Sequence, residues 1–379
     1  MSQSPHPALR TDFARALGID LPILGFTHST EVAAAITRAG GLGVYGIAHD
    51  EPDQVPVKLT ELRQQTGDGP TAADMMIPAG MPEGETLESV RARLPDEHRR
   101  FVEDLRRRYE VPESSHRTFF NSVLRTPEYF EGQLQGLLAS DVALVAFGVG
   151  LTADAVTRLR EAGKLVGALV GHPRHVERYV DVELDFLVAQ GSEAGAHTGT
   201  IGTMVLVPEI VQRSGDIPVL AAGGIGHGSQ IAAALAMGAQ GVWLGTAWLT
   251  TVEHSHGDHA TGPRLQQKLL AAGSGDTAIT RGSSGKPQRQ VRSGWTEEWA
   301  APDAPTPLPM PYQHALVGDL MTAISEHEVE PLLGSPAGQG VVWSRRIEPV
   351  ADVVNRLVAV ANEALDRLTP PNFEPPATR

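Results

Sequence analysis

The chain has 379 residues, 41% hydrophobic and 20% charged, the balance of a packed enzyme and not of a disordered chain. With no cysteine it excludes disulfides, thiolate zinc sites, iron–sulfur clusters and a cysteine nucleophile. A net charge of −14 argues against a nucleic-acid or anionic-membrane surface, and neither an apolar run of about 18 residues nor a signal-peptide core is present, so a cytoplasmic protein handling small molecules is expected.

Short apolar runs alternate with amphipathic stretches along most of the chain. Strands are predicted at Pro22–Gly25, Gly41–Tyr45, Thr71–Met76, Val142–Phe147, Lys164–Leu169, Asp185–Ala189, Pro218–Ala222 and Gly241–Leu244. Helices fall between them, as at Ser29–Ala39, Ala153–Ala162, Arg174–Val180 and Ser229–Met237. This alternation demands parallel strands, because each crossover must carry the chain back. The runs VALVAF and LVGALV are apolar on both faces, as buried parallel strands are. Eight such units fit an α/β fold of the (β/α)8 TIM-barrel type; a doubly wound open sheet shares the local pattern.

Two segments break the rhythm. Residues 80–140 are too long for one crossover and hold a charged stretch, LESVRARLPDEHRRFVEDLRRRYE, and then a helix at Pro127–Ala139. Part must be the third barrel helix, and the rest is a helical insertion after strand three: a solvated face or a lid at the mouth. The second segment, His254–Pro311, reads as loops with short helices. A last helix, Pro349–Leu368, carries Val353, Val354, Leu357 and Val358 on one side and should pack on the barrel exterior. The division is therefore a barrel over 11–250, with 80–140 inserted, and a C-terminal helical extension over 251–379. Nothing specifies an interface, though the outer helices permit a homodimer.

The loop chemistry points to a phosphate. Gly223 and Gly224 follow the seventh strand, where the absence of Cβ lets the main chain approach a ligand. The helix beyond offers unpaired amides and a positive dipole end. Gly245 and Thr246 end the eighth strand with a second set of amides and a hydroxyl. The plainer alternative is two tight turns bound to nothing. Only four lysines occur, none in either loop, and no early GxGxxG is present, so a singly phosphorylated cofactor fits better than a nucleoside triphosphate or dinucleotide. Pyridoxal phosphate needs a lysine at the mouth, whereas Lys164 begins its strand; FMN is left as the simpler choice.

After the sixth strand comes AQGSEAGAHTG. Gln190 ends the strand, and His197 follows between glycines, where it is a candidate for proton transfer or a structural histidine. His28 and His172 also follow strands and are candidates for substrate contact or ordinary surface hydrogen bonding. The cluster HSHGDH, with His254, His256, Asp258 and His259, lacks helical ligand spacing and is read as at most an adventitious metal binder; no metal is expected.

AQGSEAGAHTG, LVPEIV, IPVLAAGGI and GAQGVWLGTAWL together resemble the nitronate monooxygenase (2-nitropropane dioxygenase) family. IDLPILGF, AAAITRAGGLGVYG and AGQGVVWSRRIEPVADVV extend the resemblance, which fails across 80–140. It implies an FMN-dependent TIM barrel in which a nitronate, or another stabilised carbanion, is oxidised by O2 to a carbonyl compound and nitrite. His197 matches the family's active-site histidine as base or substrate clamp. Gln190, Gly195, Gly224 and the strand end at Gly245 and Thr246 match FMN contacts, with Gly25 and Phe26 in the first loop. The sequence departs where Ala196 precedes the histidine, where Asp74 replaces a flavin-contacting asparagine, and at His28. A neighbouring alternative is NAD(P)H-dependent reduction of quinones or enoyl thioesters; a third is a flavin-binding protein without turnover.

Overall fold

The computed structural model describes residues 4–256 and 261–368. Strands β1 (Ile23–Thr27), β2 (Leu42–Gly46), β3 (Ala72–Met76), β4 (Leu144–Val149), β5 (Leu165–Val170) and β6 (Phe186–Gln190) run in order. After β7 (Ala196–His197), β8 (Val219–Ala222) and β9 (Gly241–Leu244) complete the set. The order β1-β2-β3-β4-β5-β6-β8-β9 closes on itself through parallel β1–β9 pairing. Closure excludes the open sheet, and the fold is a (β/α)8 barrel.

The period of two along each strand sorts the side chains. Leu24, Val44, Ala72, Ala146, Val188 and Leu220 fill the barrel interior. The helix Asp12–Leu17 plugs its lower end, burying Phe13 against Phe186 with ring centres 5.6 Å apart. One step further up each strand stand Phe26, Gly46, Asp74, Gly148, Gln190 and Ala222. Small or polar residues dominate this upper layer, so the barrel is solid below and open at the mouth.

The eighth barrel helix is Val350–Leu368, which packs beside the helices Gly228–Ala236 and Thr30–Arg38. Residues 245–349 thus lie between the last strand and its helix, and a division at 250 separates that helix from the strands it covers. Gly228 lets the two helices touch: a Cβ there would stand 2.2 Å from the Leu357 carbonyl oxygen. Gly228→Ala should lower stability by about 1–3 kcal/mol through overpacking, seen as a reduced midpoint in urea unfolding. An unchanged midpoint would mean that the helix shifts freely.

The insertion and the C-terminal segment meet above the mouth. Helices Leu87–Ala92 and Asp96–Arg108 pack on Tyr312–Glu326. Leu94, Leu105, Trp295, Trp299, Val317 and Leu320 give this upper layer its own apolar core. Helix Pro127–Leu138 belongs to the barrel wall, where it packs on Val55–Thr66. Arg91 pairs with Asp319 at 3.0 Å, and Arg108 reaches both oxygens of Glu298 at 3.0 Å.

Candidate active site

His197 owes its position to the C-terminal segment. Strands β10 (Thr277–Thr280) and β11 (Gln288–Val291) form a hairpin, and β7 joins it as a third antiparallel strand. His197 lies opposite Gln288 and Ala196 opposite Arg289. From below, the Gln190 amide donates to the His197 carbonyl at 2.9 Å. The imidazole Nε2 is 2.9 Å from the Ser284 hydroxyl. Desolvation of the ring, reinforced by the nearby Lys286 charge, lowers the His197 pKa to about 4. Desolvation lowers the Lys286 pKa as well. The site therefore presents a neutral imidazole beside an ammonium group.

Ala196 holds φ at +60°, in the left-handed region. That conformation costs a non-glycine residue roughly 1–2 kcal/mol. Ala196→Gly should relieve it, offset by about 0.5–1 kcal/mol of unfolded-chain entropy, leaving stability unchanged or raised by up to ~1 kcal/mol. Urea denaturation checks this; a clear loss would show that the methyl group packs usefully.

Asp74 stands on the upper layer of β3, 6% exposed. Its Oδ2 has no hydrogen-bond partner, and burial pushes its pKa well above the usual carboxylate range. Opposite it Gly148 keeps space open, since a Cβ there would approach Asp74 Oδ1 to 3.0 Å. The asparagine-to-aspartate departure is thereby softened: a neutral carboxylic acid has the amide's shape, one donor and one acceptor.

At the other side of the mouth, Gly223 and Gly224 hold φ at +107° and +69°. The Gln230 side chain braces this turn, donating to the Gly224 carbonyl and accepting from the Gly226 and His227 amides. The amides of Gly224, Gly245 and Thr246 donate to no carbonyl among the described residues. A Cβ on Gly245 would meet nothing nearer than 3.9 Å, so space lies beside it. Free amides, open space and an orphaned acid at Asp74 fit a flavin with its phosphate on these loops. The segment Ala337–Gln339, read only as part of a resemblance, threads through the same place. Gly338 N donates to the Thr246 hydroxyl at 2.9 Å and Gln339 N to the Glu193 carbonyl at 2.9 Å. A Cβ on Gly195 would stand 2.8 Å from Gly338 N.

The remaining candidates are dispersed. Phe26 stacks on Trp243 at 6.3 Å, whereas Gly25 is backed by Ile36 and Trp248. His28 bonds the Gly46 carbonyl at 2.7 Å and stacks on His49 at 3.8 Å. His172 accepts from the Arg174 amide at 3.1 Å within its own turn. The Glu193 carboxylate accepts from Thr203 N and Oγ1, serving the start of helix Thr203–Arg213. Among the described residues no cluster of metal-binding side chains occurs; Asp258 and His259 lie outside them. Ser284, Lys286, Arg125 and His314 were not singled out by the sequence.

The model of the nitronate monooxygenase family matches residues 12–360. The chain belongs to the nitronate monooxygenase family. It is thus an oxidoreductase of the monooxygenase type acting on a small molecule, with a flavin as cofactor. A Mycobacterium tuberculosis protein named as a monooxygenase is 41% identical over 331 residues, covering 85% of this chain and 87% of its own. A Bacillus subtilis protein named as a nitronate monooxygenase is 29% identical, over 89% of this chain and 94% of its own. Among solved structures, nitroalkane oxidase from Streptomyces ansochromogenes superimposes with a TM-score of 0.77 at 29% identity, covering 94% of this chain and 99% of its own. FabK from Thermotoga maritima gives 0.71 at 26%, covering 95% and 98%. No helix among the described residues is long and apolar enough to cross a membrane.

Proposed function

We propose that the chain binds FMN and uses O2 to oxidise a nitronate to a carbonyl compound and nitrite. Gly223, Gly224, Gly245 and Thr246 would hold the single phosphate. Gln190, Gly195, Gly25, Phe26 and Asp74 would border the rest of the cofactor. When bound, FMN supplies the electron acceptor and the means of reaction with oxygen. The observation that carries the choice of substrate is the neutral His197 beside Lys286. A base whose conjugate acid has a pKa of about 4 takes a proton from a carbon acid poorly near neutral pH. It can still donate one N–H to an anion already formed, and Lys286 adds attraction to that charge. The clamp role is therefore favoured over proton abstraction from a neutral nitroalkane.

Nitrite release from propane-2-nitronate and from 2-nitropropane, at one pH and without nicotinamide, tests this. The nitronate should react with a kcat/KM about tenfold or more above that of the neutral compound. Equal rates would restore His197 as a general base, and no nitrite from either would sink the reaction. The likeness to FabK supports a second reading, reduction of an enoyl thioester or quinone at the expense of NAD(P)H. Rapid anaerobic bleaching of the flavin by NADH would select it.

A further inference from the structure

Three carboxyl side chains are buried among the described residues: Asp50, Asp74 and Glu348. The Tyr45 hydroxyl donates to Asp50 Oδ2 at 2.9 Å, and Arg346 and Arg356 pair with Glu348 at 2.8 and 2.6 Å. Asp74 has no such support: its Oδ2 is shut off from solvent without a hydrogen bond, and among the described residues no ion pair reaches its carboxyl. Asp74 also stands in the upper layer of the barrel, in register with Gly46 on β2. A Cβ on Gly46 would strike the His28 and Phe26 rings at 2.8 Å, and one on Gly148 would reach Asp74 Oδ1 at 3.0 Å. The carboxyl thus lies between two glycines at the mouth, where the cofactor is placed above.

The titratable groups on the elements beside β3 do not offset a charge there. On β2, Tyr45 is bonded to Asp50. Over Gly46 stands His28, bonded to the Gly46 carbonyl, with His49 stacked on it. Strand β4 carries no titratable side chain. None of these acts on the Asp74 carboxyl; burial does, and it raises the pKa. An ionised Asp74 would be a buried charge without a partner, which is costly. The neutral acid escapes that cost but carries an O–H that needs an acceptor, and the described residues supply none at Oδ2.

We propose that the chain retains FMN only while Asp74 is a carboxylic acid, its O–H donating to an acceptor on the cofactor, so that cofactor affinity is linked to one proton. The edge of an oxidised flavin ring offers carbonyl oxygens and imine nitrogens as acceptors and a single N–H as donor. A carboxylic acid, with one donor and one acceptor, matches that edge, whereas a carboxylate can only accept and would face those lone pairs with a charge. An asparagine at this place would make the same contact at any pH; the aspartate makes it conditional. The inference rests on the reading of the mouth as an FMN site and adds the proton on which retention depends.

Two measurements test it, neither of them an activity. The first is the Kd of FMN for the native apoprotein and for Asp74→Asn, read by flavin fluorescence from pH ~6 to ~9. The cofactor phosphate titrates alike in both, so the ratio of the two Kd values isolates position 74. That ratio should be near one at the acid end and climb with pH, approaching about tenfold per unit once Asp74 ionises in the apoprotein. A flat ratio, or one that falls, overturns the linkage. The second is the infrared difference between the FMN-loaded native protein and FMN-loaded Asp74→Asn near pH ~6.5, at the acid side of that range. It should show a protonated carboxyl band that shifts when FMN is removed; a carboxylate signal, or an acid band indifferent to FMN, overturns the donor role. Should Asp74→Asn fail to fold, the native spectra with and without FMN decide. If neither protein takes up FMN at any pH, the flavin reading itself falls; firm binding with a flat ratio leaves that reading standing and rejects only the proton.

Discussion

Replacing His197 by alanine should lower kcat/KM for a nitronate by about 10²–10³-fold, the usual cost of removing one well-placed donor to an anion. Flavin content should change little, because the glycine turns proposed for the phosphate lie on other strands and Gln190 grips the main chain of the loop, not the imidazole. Stopped-flow reduction under anaerobic conditions with a nitronate separates the two effects. The native protein also makes a demand on the pH profile. An ordinary histidine titrates near pH ~6.5, whereas this one is neutral down to about 4. The logarithm of kcat/KM should therefore carry no inflection from this residue between pH ~6 and ~8. An inflection there that vanishes in His197→Ala would show the imidazole to be solvated and basic. Ser284→Ala provides the graded control: it removes the partner at Nε2, so turnover should fall less than in His197→Ala.

The eight barrel strands could be read from the sequence because each is a local apolar run with its own turn signals. The glycine turns proposed to hold the phosphate were legible for the same reason: a double glycine and a Gly-Thr pair close the seventh and eighth strands. What positions His197 was not legible. Strand β7 has two residues, too few to show a period, and exists only because a hairpin some 90 residues later supplies its edge. Ser284 and Lys286 lie between the strands of that hairpin, and their spacing from His197 in the chain carries no pattern. Lys286 is instructive: neither glycine turn holds a lysine, yet one approaches His197 from another part of the chain. The eighth barrel helix was recognised as a helix but not as a member of the barrel, because residues 245–349 separate it from its strand.

Asp74→Asn should leave the flavin bound and change the pH dependence of stability in a defined direction. Burial raises the carboxyl pKa of Asp74 in the folded state, while in the unfolded chain it ionises above pH ~3.9. A raised carboxyl pKa thus works against folding once pH exceeds the unfolded value, and does so increasingly up to the folded pKa. The buried histidines act in the opposite sense. His197 and His314, with pKa values lowered to about 4 and about 3, are neutral when folded and protonated when unfolded below pH ~6.5. Their contribution to stability is present above pH ~6.5 and is lost on acidification. Below pH ~6.5 the histidines therefore make stability rise with pH while Asp74 opposes that rise. With asparagine the opposing contribution disappears and stability should rise more steeply with pH. Above pH ~6.5 the histidine contribution is complete. Equilibrium unfolding of both proteins across this range, at one saturating flavin concentration, gives a difference curve in which other titrating groups cancel. That difference should favour the variant and grow with pH until Asp74 ionises in the fold. A flat difference would mean that Asp74 is already ionised, and that a carboxylate, not a neutral mimic of the family's asparagine, faces the cofactor.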